Sequence, residues 1–164
     1  MRSFFTFPDP VNEIAARLVA GGVVAMTALF LATGFSPLLL VIAYGFVARV
    51  MAGPKVSPLG LLVTRVVEPR LGIAPRFTPG PPKRFAQGIG ATLSVVAVVS
   101  YFALDLVPLA YLSTAAIVVA ASLESFLGYC LGCKMFAILM RFGLIPDSVC
   151  EACADITSRR PATS

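Results

Sequence analysis

Between Ile14 and Thr33 the chain reads IAARLVAGGVVAMTALFLAT, a stretch interrupted by one charge, Arg17. An apolar run of about 20 residues is long enough for a helix to cross roughly 30 Å of hydrocarbon. Three more follow. LLLVIAYGFVARVMA comes after the turn GFSP and ends at Gly53-Pro54; FAQGIGATLSVVAVVSYFALDLV begins after Lys83-Arg84; and LAYLSTAAIVVAASLESFLGYCLGC begins after Pro108. With 58% hydrophobic and 13% charged residues, a soluble domain of this size lacks the polar surface to cover its apolar side chains. The pattern predicts an all-α membrane protein of four transmembrane helices, at about 14–33, 37–52, 85–107 and 108–130. Residues 1–164 form one integral membrane domain, and residues 143–164 form a cysteine-containing tail. The shortness of the first two runs favours a tight helical hairpin over a re-entrant pair.

The start of the chain, MRSFFTFPDPVNE, mixes aromatics, prolines and acids where a signal peptide would carry a basic leader. The first span is therefore expected to be retained, with Asp9 or Asn12 capping it and Glu13 in its first turn. Four spans place all thirteen Lys and Arg on one side of the membrane or at its interface. The other side receives only the GFSP turn and the link around Asp105. By the positive-inside rule both termini and the 53–84 loop are cytoplasmic and the protein sits in the cell's inner membrane. A three-span arrangement would export part of this basic set. Within the loop, PLGLLVTRVVEPRLG suits a short amphipathic helix lying in the interface, with its basic residues against anionic lipid. Neither charge density nor interleaved aromatics support nucleic-acid binding.

The chemistry-bearing residues lie near the end of the chain. Cys130 and Cys133 form one CxxC pair, and Cys150 and Cys153 form another. Counting inward from Pro108 at about 1.5 Å per residue puts the first pair about 33 to 37 Å down a continuous fourth helix, at the cytoplasmic interface. In that reducing compartment metal binding or thiol chemistry is the usual role of paired cysteines. On a helix, residues three apart lie on neighbouring faces, close enough to share a metal or a disulfide. Gly128 and Gly132, with Ala121 and Ser125, make a small-residue stripe suited to helix packing. In the second pair SVCE reads as a capping box from Ser148 to Glu151, which puts Cys150 in a first helical turn where the helix dipole favours a thiolate. Glu151 and Asp155 oppose that effect. The overall spacing, C-x2-C-x16-C-x2-C, also falls in the range of four-cysteine zinc sites. The bland alternative is that the four cysteines pack as small apolar residues.

Glu124 lies about 24 Å along the fourth span, and an ionisable group at that depth is usually paired or lines a polar path. Arg49 on the second span is the expected partner in an intramembrane ion pair, with Arg17 as the alternative. On an ideal helix Glu124 points away from the cysteines. Histidine is absent, which removes His-based triads and His metal ligands, and no nucleotide-binding or HExxH motif occurs.

PVNEIAAR (10–17), SPLG (57–60), PPKRFAQGIG (81–90), LESFLGYCLGCKMF (123–136) and CEAC (150–153) together resemble a bacterial membrane family, domain of unknown function 4395. The resemblance implies an integral membrane protein of about this size and supplies no activity and no site residues. It also implies thioredoxin-like or sulfurtransferase proteins as partners, which tilts toward thiol chemistry. The reading that emerges is a multi-pass membrane protein with a thiol-redox or sulfur-handling role through two cytoplasmic dithiols, Cys130–Cys133 and Cys150–Cys153. The alternative is a non-enzymatic scaffold or subunit in which the same four cysteines hold a structural zinc. A small channel or carrier built on Glu124 and Arg49 is a third reading.

Overall fold

The computed structural model describes residues 9–150. A two-residue strand, β1 (Val11–Asn12), leads into α1 (Glu13–Thr33) and then α2 (Pro37–Ala52). The segment after α2 is helical in pieces: α3 (Pro58–Leu62), a π turn (Val63–Val67) and α4 (Glu68–Leu71). Strand β2 (Phe77–Thr78) pairs antiparallel with β1 and precedes α5 (Gly80–Phe102), α6 (Val107–Leu127) and α7 (Leu131–Arg141). Four helical stretches are long and apolar enough to cross a membrane, namely α1, the stretch Pro37–Leu71 that begins with α2, α5 and α6. The protein is a multi-pass membrane protein.

Local signals in the sequence account for most boundaries. Asn12 is the N-cap of α1, its side-chain oxygen accepting the Ile14 amide at 3.0 Å. Asp9, the other candidate cap, instead accepts the Gly80 amide at 2.9 Å and so ties the start of α1 to the start of α5. Helix α1 stops at Gly34, whose φ of 68° suits a residue without Cβ. α2 stops where Gly53 takes up φ 65°, ψ −150° ahead of Pro54. Ser57 then caps α3, its hydroxyl accepting the Gly60 amide at 3.4 Å.

The long helices close into a bundle in the lateral order α1–α6–α5–α2, with α2 also touching α1. Its centre is the cluster of Val23, Ile42, Phe46, Ile117 and Ala121. Near the two short links, Phe30 packs with its ring centre 5.0 Å from Tyr111 and 6.1 Å from Tyr101. At the opposite end Val63 packs on Ala15 and Val19, which fastens the broken helical segment to α1. Buried hydroxyls bond within their own helices, as Thr27 does to the Val23 carbonyl at 2.7 Å and Thr114 to Ala110 at 2.8 Å. Among the described residues, Thr78 Oγ1 is the buried side-chain polar atom left without a hydrogen-bond partner.

Two boundaries differ from the sequence reading. The third helix begins at Gly80 and ends at Phe102 rather than running from 85 to 107. Pro81 and Pro82 fit a first helical turn, where an amide proton is dispensable, so the helix reaches back and takes Lys83 and Arg84 into itself. The fourth helix ends at Leu127, not at 130. Gly128 adopts φ 66° and its amide bonds the Glu124 carbonyl, while the Tyr129 amide bonds the Leu123 carbonyl. A glycine in the left-handed conformation ends a helix at little steric cost.

Close approach of α2 and α5 rests on Gly90, where an added Cβ would collide with the Phe46 ring. Gly90→Ala is expected to destabilise the folded protein by about 1–3 kcal/mol, the usual cost of overpacking. Thermal unfolding in detergent checks this, and an unchanged transition would mean that the Phe46 ring moves aside freely.

Candidate functional site

The break at Gly128 reshapes the region around the first cysteine pair. Cys130 is not within a continuing helix; it is the N-cap of α7, with φ −87° and ψ 104°. Its Sγ accepts the Cys133 amide at 3.4 Å, and the Cys133 thiol donates to it with the two sulfurs 2.7 Å apart. Both are free thiols, partly buried. The gap exceeds a disulfide bond of about 2.05 Å by only about 0.7 Å. Helix α7 is held on α5 by Gly132, where an added Cβ would lie 2.5 Å from the Cα of Ala86, and by the Phe136 ring, 5.7 Å from that of Phe85. Gly132 thus serves the packing role expected of it, whereas Gly128 makes the turn.

Beside the dithiol lies a buried ion pair. Lys83 Nζ meets Glu124 Oε1 at 2.5 Å, with the two side chains only 8% and 13% exposed. Glu124 thus pairs with Lys83 and not with Arg49, the partner expected from the sequence. Arg49 donates instead to Gln87 Oε1 at 3.0 Å and to Ser57 Oγ at 3.2 Å, and lies 4.5 Å over the Phe46 ring. Arg17, the alternative, donates to the carbonyls of Ser125 and Phe126 at the end of α6, where a cation complements the helix dipole. The extension of α5 by one turn explains the exchange, since Lys83 then sits within the bundle opposite Glu124.

The helix break also overturns the expectation that Glu124 points away from the cysteines. Glu124 and Cys130 line one cavity of about 260 Å³, together with Arg49, Gln87 and Phe46. A second cavity of about 240 Å³ is lined by Asn12, Arg49, Glu68, Lys83 and Gln87. Arg49 and Gln87 face both, and the side chains of Asn12 and Glu68 hydrogen-bond each other in the second.

This surround divides the acidity of the two thiols. The Cys130 thiol is held below its usual value, chiefly by the hydrogen bond from the Cys133 thiol, with help from the Lys83 ammonium and the Cys133 amide. Burial and the Glu124 carboxylate oppose the change. The Cys133 thiol is pushed up, first because its proton is engaged by Cys130 and then by burial. Of the two thiols Cys130 is thereby the more acidic.

The family described as domain of unknown function (DUF4395) matches residues 11–141, from β1 to the last residue of α7. The chain belongs to the DUF4395 family. No curated protein and no solved structure matches the chain. The portion shared with DUF4395 holds Lys83, Glu124, Cys130 and Cys133, while Cys150 and Cys153 lie beyond it.

In this DUF4395 member Cys150 is buried and disulfide-bonded. The predicted capping box is not described as such: Asp147–Val149 form a single 3₁₀ turn, and Glu151 and Cys153 lie outside the described residues. Among the described residues no three Cys, Asp or Glu come close enough to hold a metal ion. The structure therefore brings together Cys130, Cys133, Glu124 and the residue missed in the sequence, Lys83. The signal for Lys83 was present in PPKRF, because a Pro-Pro pair opening a helix carries the following Lys into it.

Proposed function

We propose that the protein is an inner-membrane thiol–disulfide exchange protein whose working pair is Cys130–Cys133 at the cytoplasmic face. The observation that carries this is the 2.7 Å contact between two free thiols at the start of α7, beside the buried Lys83–Glu124 pair. The concentration of Lys and Arg at that end of the bundle supports the orientation. In the forward step the Cys130 thiolate attacks one sulfur of a partner's disulfide, whose S–S bond breaks as the other sulfur leaves and takes up a proton. Cys133 then gives up its proton and attacks Cys130 Sγ, releasing the second partner thiol. Two electrons and two protons pass to the partner, and the reverse sequence reduces Cys130–Cys133. Direction follows the potentials of the two couples. Thioredoxin-like or sulfurtransferase proteins fit as partners, and Cys150–Cys153 would serve as a second couple.

The test is the pH dependence of alkylation at each cysteine in reduced protein, followed by mass spectrometry. Thiolate is the reacting form, so a lowered value gives Cys130 a midpoint below the roughly 8.5 of an ordinary cysteine, while Cys133 stays unreactive across the same range. Lys83→Met removes a positive charge that favours the thiolate and is expected to move the Cys130 midpoint upward. Two cysteines titrating together at the ordinary value would contradict the assignment.

A further inference from the structure

A membrane dithiol needs a source or sink of electrons, and the cavity at Cys130 suggests its chemistry. Its walls are apolar on α1, α5 and α6, among them Val19, Val23, Leu93 and Ile117. Ala116 on α6 and Leu131 and Met135 on α7 also line it and are exposed, so it opens sideways from a helix that crosses the membrane. Its volume, about 260 Å³, lies just below the roughly 300 Å³ at which small-ligand clefts begin. That leaves room for one ring system. At its polar end stand Cys130, Glu124, Gln87 and Arg49. Arg49 is 4% exposed, yet among the described residues it has no carboxylate within ion-pairing distance. Its hydrogen bonds go only to neutral groups while the Glu124 carboxylate acts on it from a distance, so a buried guanidinium so placed gains from a further acceptor that a ligand supplies. Gln87 spends its carbonyl on Arg49 and keeps its amide hydrogens for another acceptor.

We infer that this cavity binds a lipid-soluble quinone, which takes the two electrons of the Cys130–Cys133 dithiol. The inference rests on the thiol–disulfide reading above. The ring enters from the hydrocarbon between Ala116 and Met135, and one carbonyl oxygen accepts from Gln87 and Arg49. Two S–H bonds break and one S–S bond forms between Cys130 and Cys133. The two electrons and two protons convert both ring carbonyls to hydroxyls, giving the quinol, which leaves by the same opening. Arg49 stabilises the negative charge that grows on the carbonyl oxygen during reduction.

Decylubiquinone is the probe, because its fully substituted ring cannot simply add a thiol. Reduced protein in detergent, kept anaerobic, is expected to convert one quinone for each Cys130–Cys133 disulfide formed, read from quinone absorbance and thiol count. Gln87→Leu, and Ala116→Phe at the opening, should each slow that reaction tenfold or more. In the same Ala116→Phe sample, hydroxyethyl disulfide, which arrives from water, should oxidise the dithiol as fast as in the unaltered protein; this also shows that the variant is folded. Oxidation by hydroxyethyl disulfide but not by the quinone would overturn the quinone site and leave the dithiol reading intact. Oxidation by neither would overturn both. An equal quinone rate with and without Ala116→Phe would overturn the cavity as the place of reaction.

Discussion

Replacing Cys133 with serine should trap a covalent adduct on Cys130. With dithiobis(nitrobenzoate) as the attacking disulfide, the unaltered pair should release two equivalents of nitrothiobenzoate and end as a Cys130–Cys133 disulfide. Cys133→Ser should release one equivalent at Cys130 and keep the second as a mixed disulfide. The size of the effect follows from geometry. A resolving sulfur already 2.7 Å from its target acts as an intramolecular nucleophile, and such groups reach effective concentrations on the order of 10⁵ M or more. Removing it should lengthen the lifetime of the adduct by about a thousandfold or more. Mass spectrometry of the intact protein gives the adduct directly. Equal lifetimes with and without Cys133 would mean that the two sulfurs do not act together.

The second large effect concerns the ion pair beneath the dithiol. Lys83→Met strands the Glu124 carboxylate at 13% exposure, and breaking a buried pair by removing one partner typically costs about 3–5 kcal/mol. Glu124→Leu strands Lys83 and should cost a similar amount. The double replacement, which leaves neither charge, should recover most of the loss, since an apolar pair of like volume is often as stable as a buried salt bridge. Thermal unfolding of the four proteins in one detergent gives the coupling. Additive losses would mean that the two side chains are stabilised separately. The thiols report the same pair independently: Lys83 favours the Cys130 thiolate and Glu124 opposes it, so the double variant should react more like the unaltered protein than Lys83→Met alone.

The spans were legible in the sequence because membrane crossing depends on apolar length, a property that survives ignorance of packing. The Asn12 cap was legible for a similar reason, since it is a local bond. The site was only half legible. Cys130 and Cys133 were evident as a pair, but FLGYCLGCKMF has a single charge, Lys134, and periodicity alone carried the fourth helix straight across Gly128. A glycine in a helical pattern reads equally well as packing surface or as terminator. Which role it takes depends on whether the following residues find a better place, and here Gly132 and Phe136 find theirs on Ala86 and Phe85. That tertiary choice turned a mid-helix pair into one at a helix start. Lys83 was missed through the opposite rule. A basic residue next to an apolar run is normally placed at the interface, whereas the start of α5 at Gly80 carries this one into the bundle, where Glu124 pairs with it. Arg49 was expected to pair with Glu124, but its hydrogen-bond partners are Gln87 and Ser57, which carry no sequence signal for pairing with it.

The central claim is that Cys130 and Cys133 are a redox pair rather than part of a metal scaffold. Zinc stoichiometry, measured together with thiol counting by alkylation on anaerobically purified protein in detergent, tests it most directly. The claim predicts no stoichiometric metal, and a Cys130–Cys133 pair that passes between alkylatable and protected forms under mild oxidant and reductant. One zinc per chain, with all four cysteines protected until the metal is removed, would contradict it and establish a structural four-sulfur site instead.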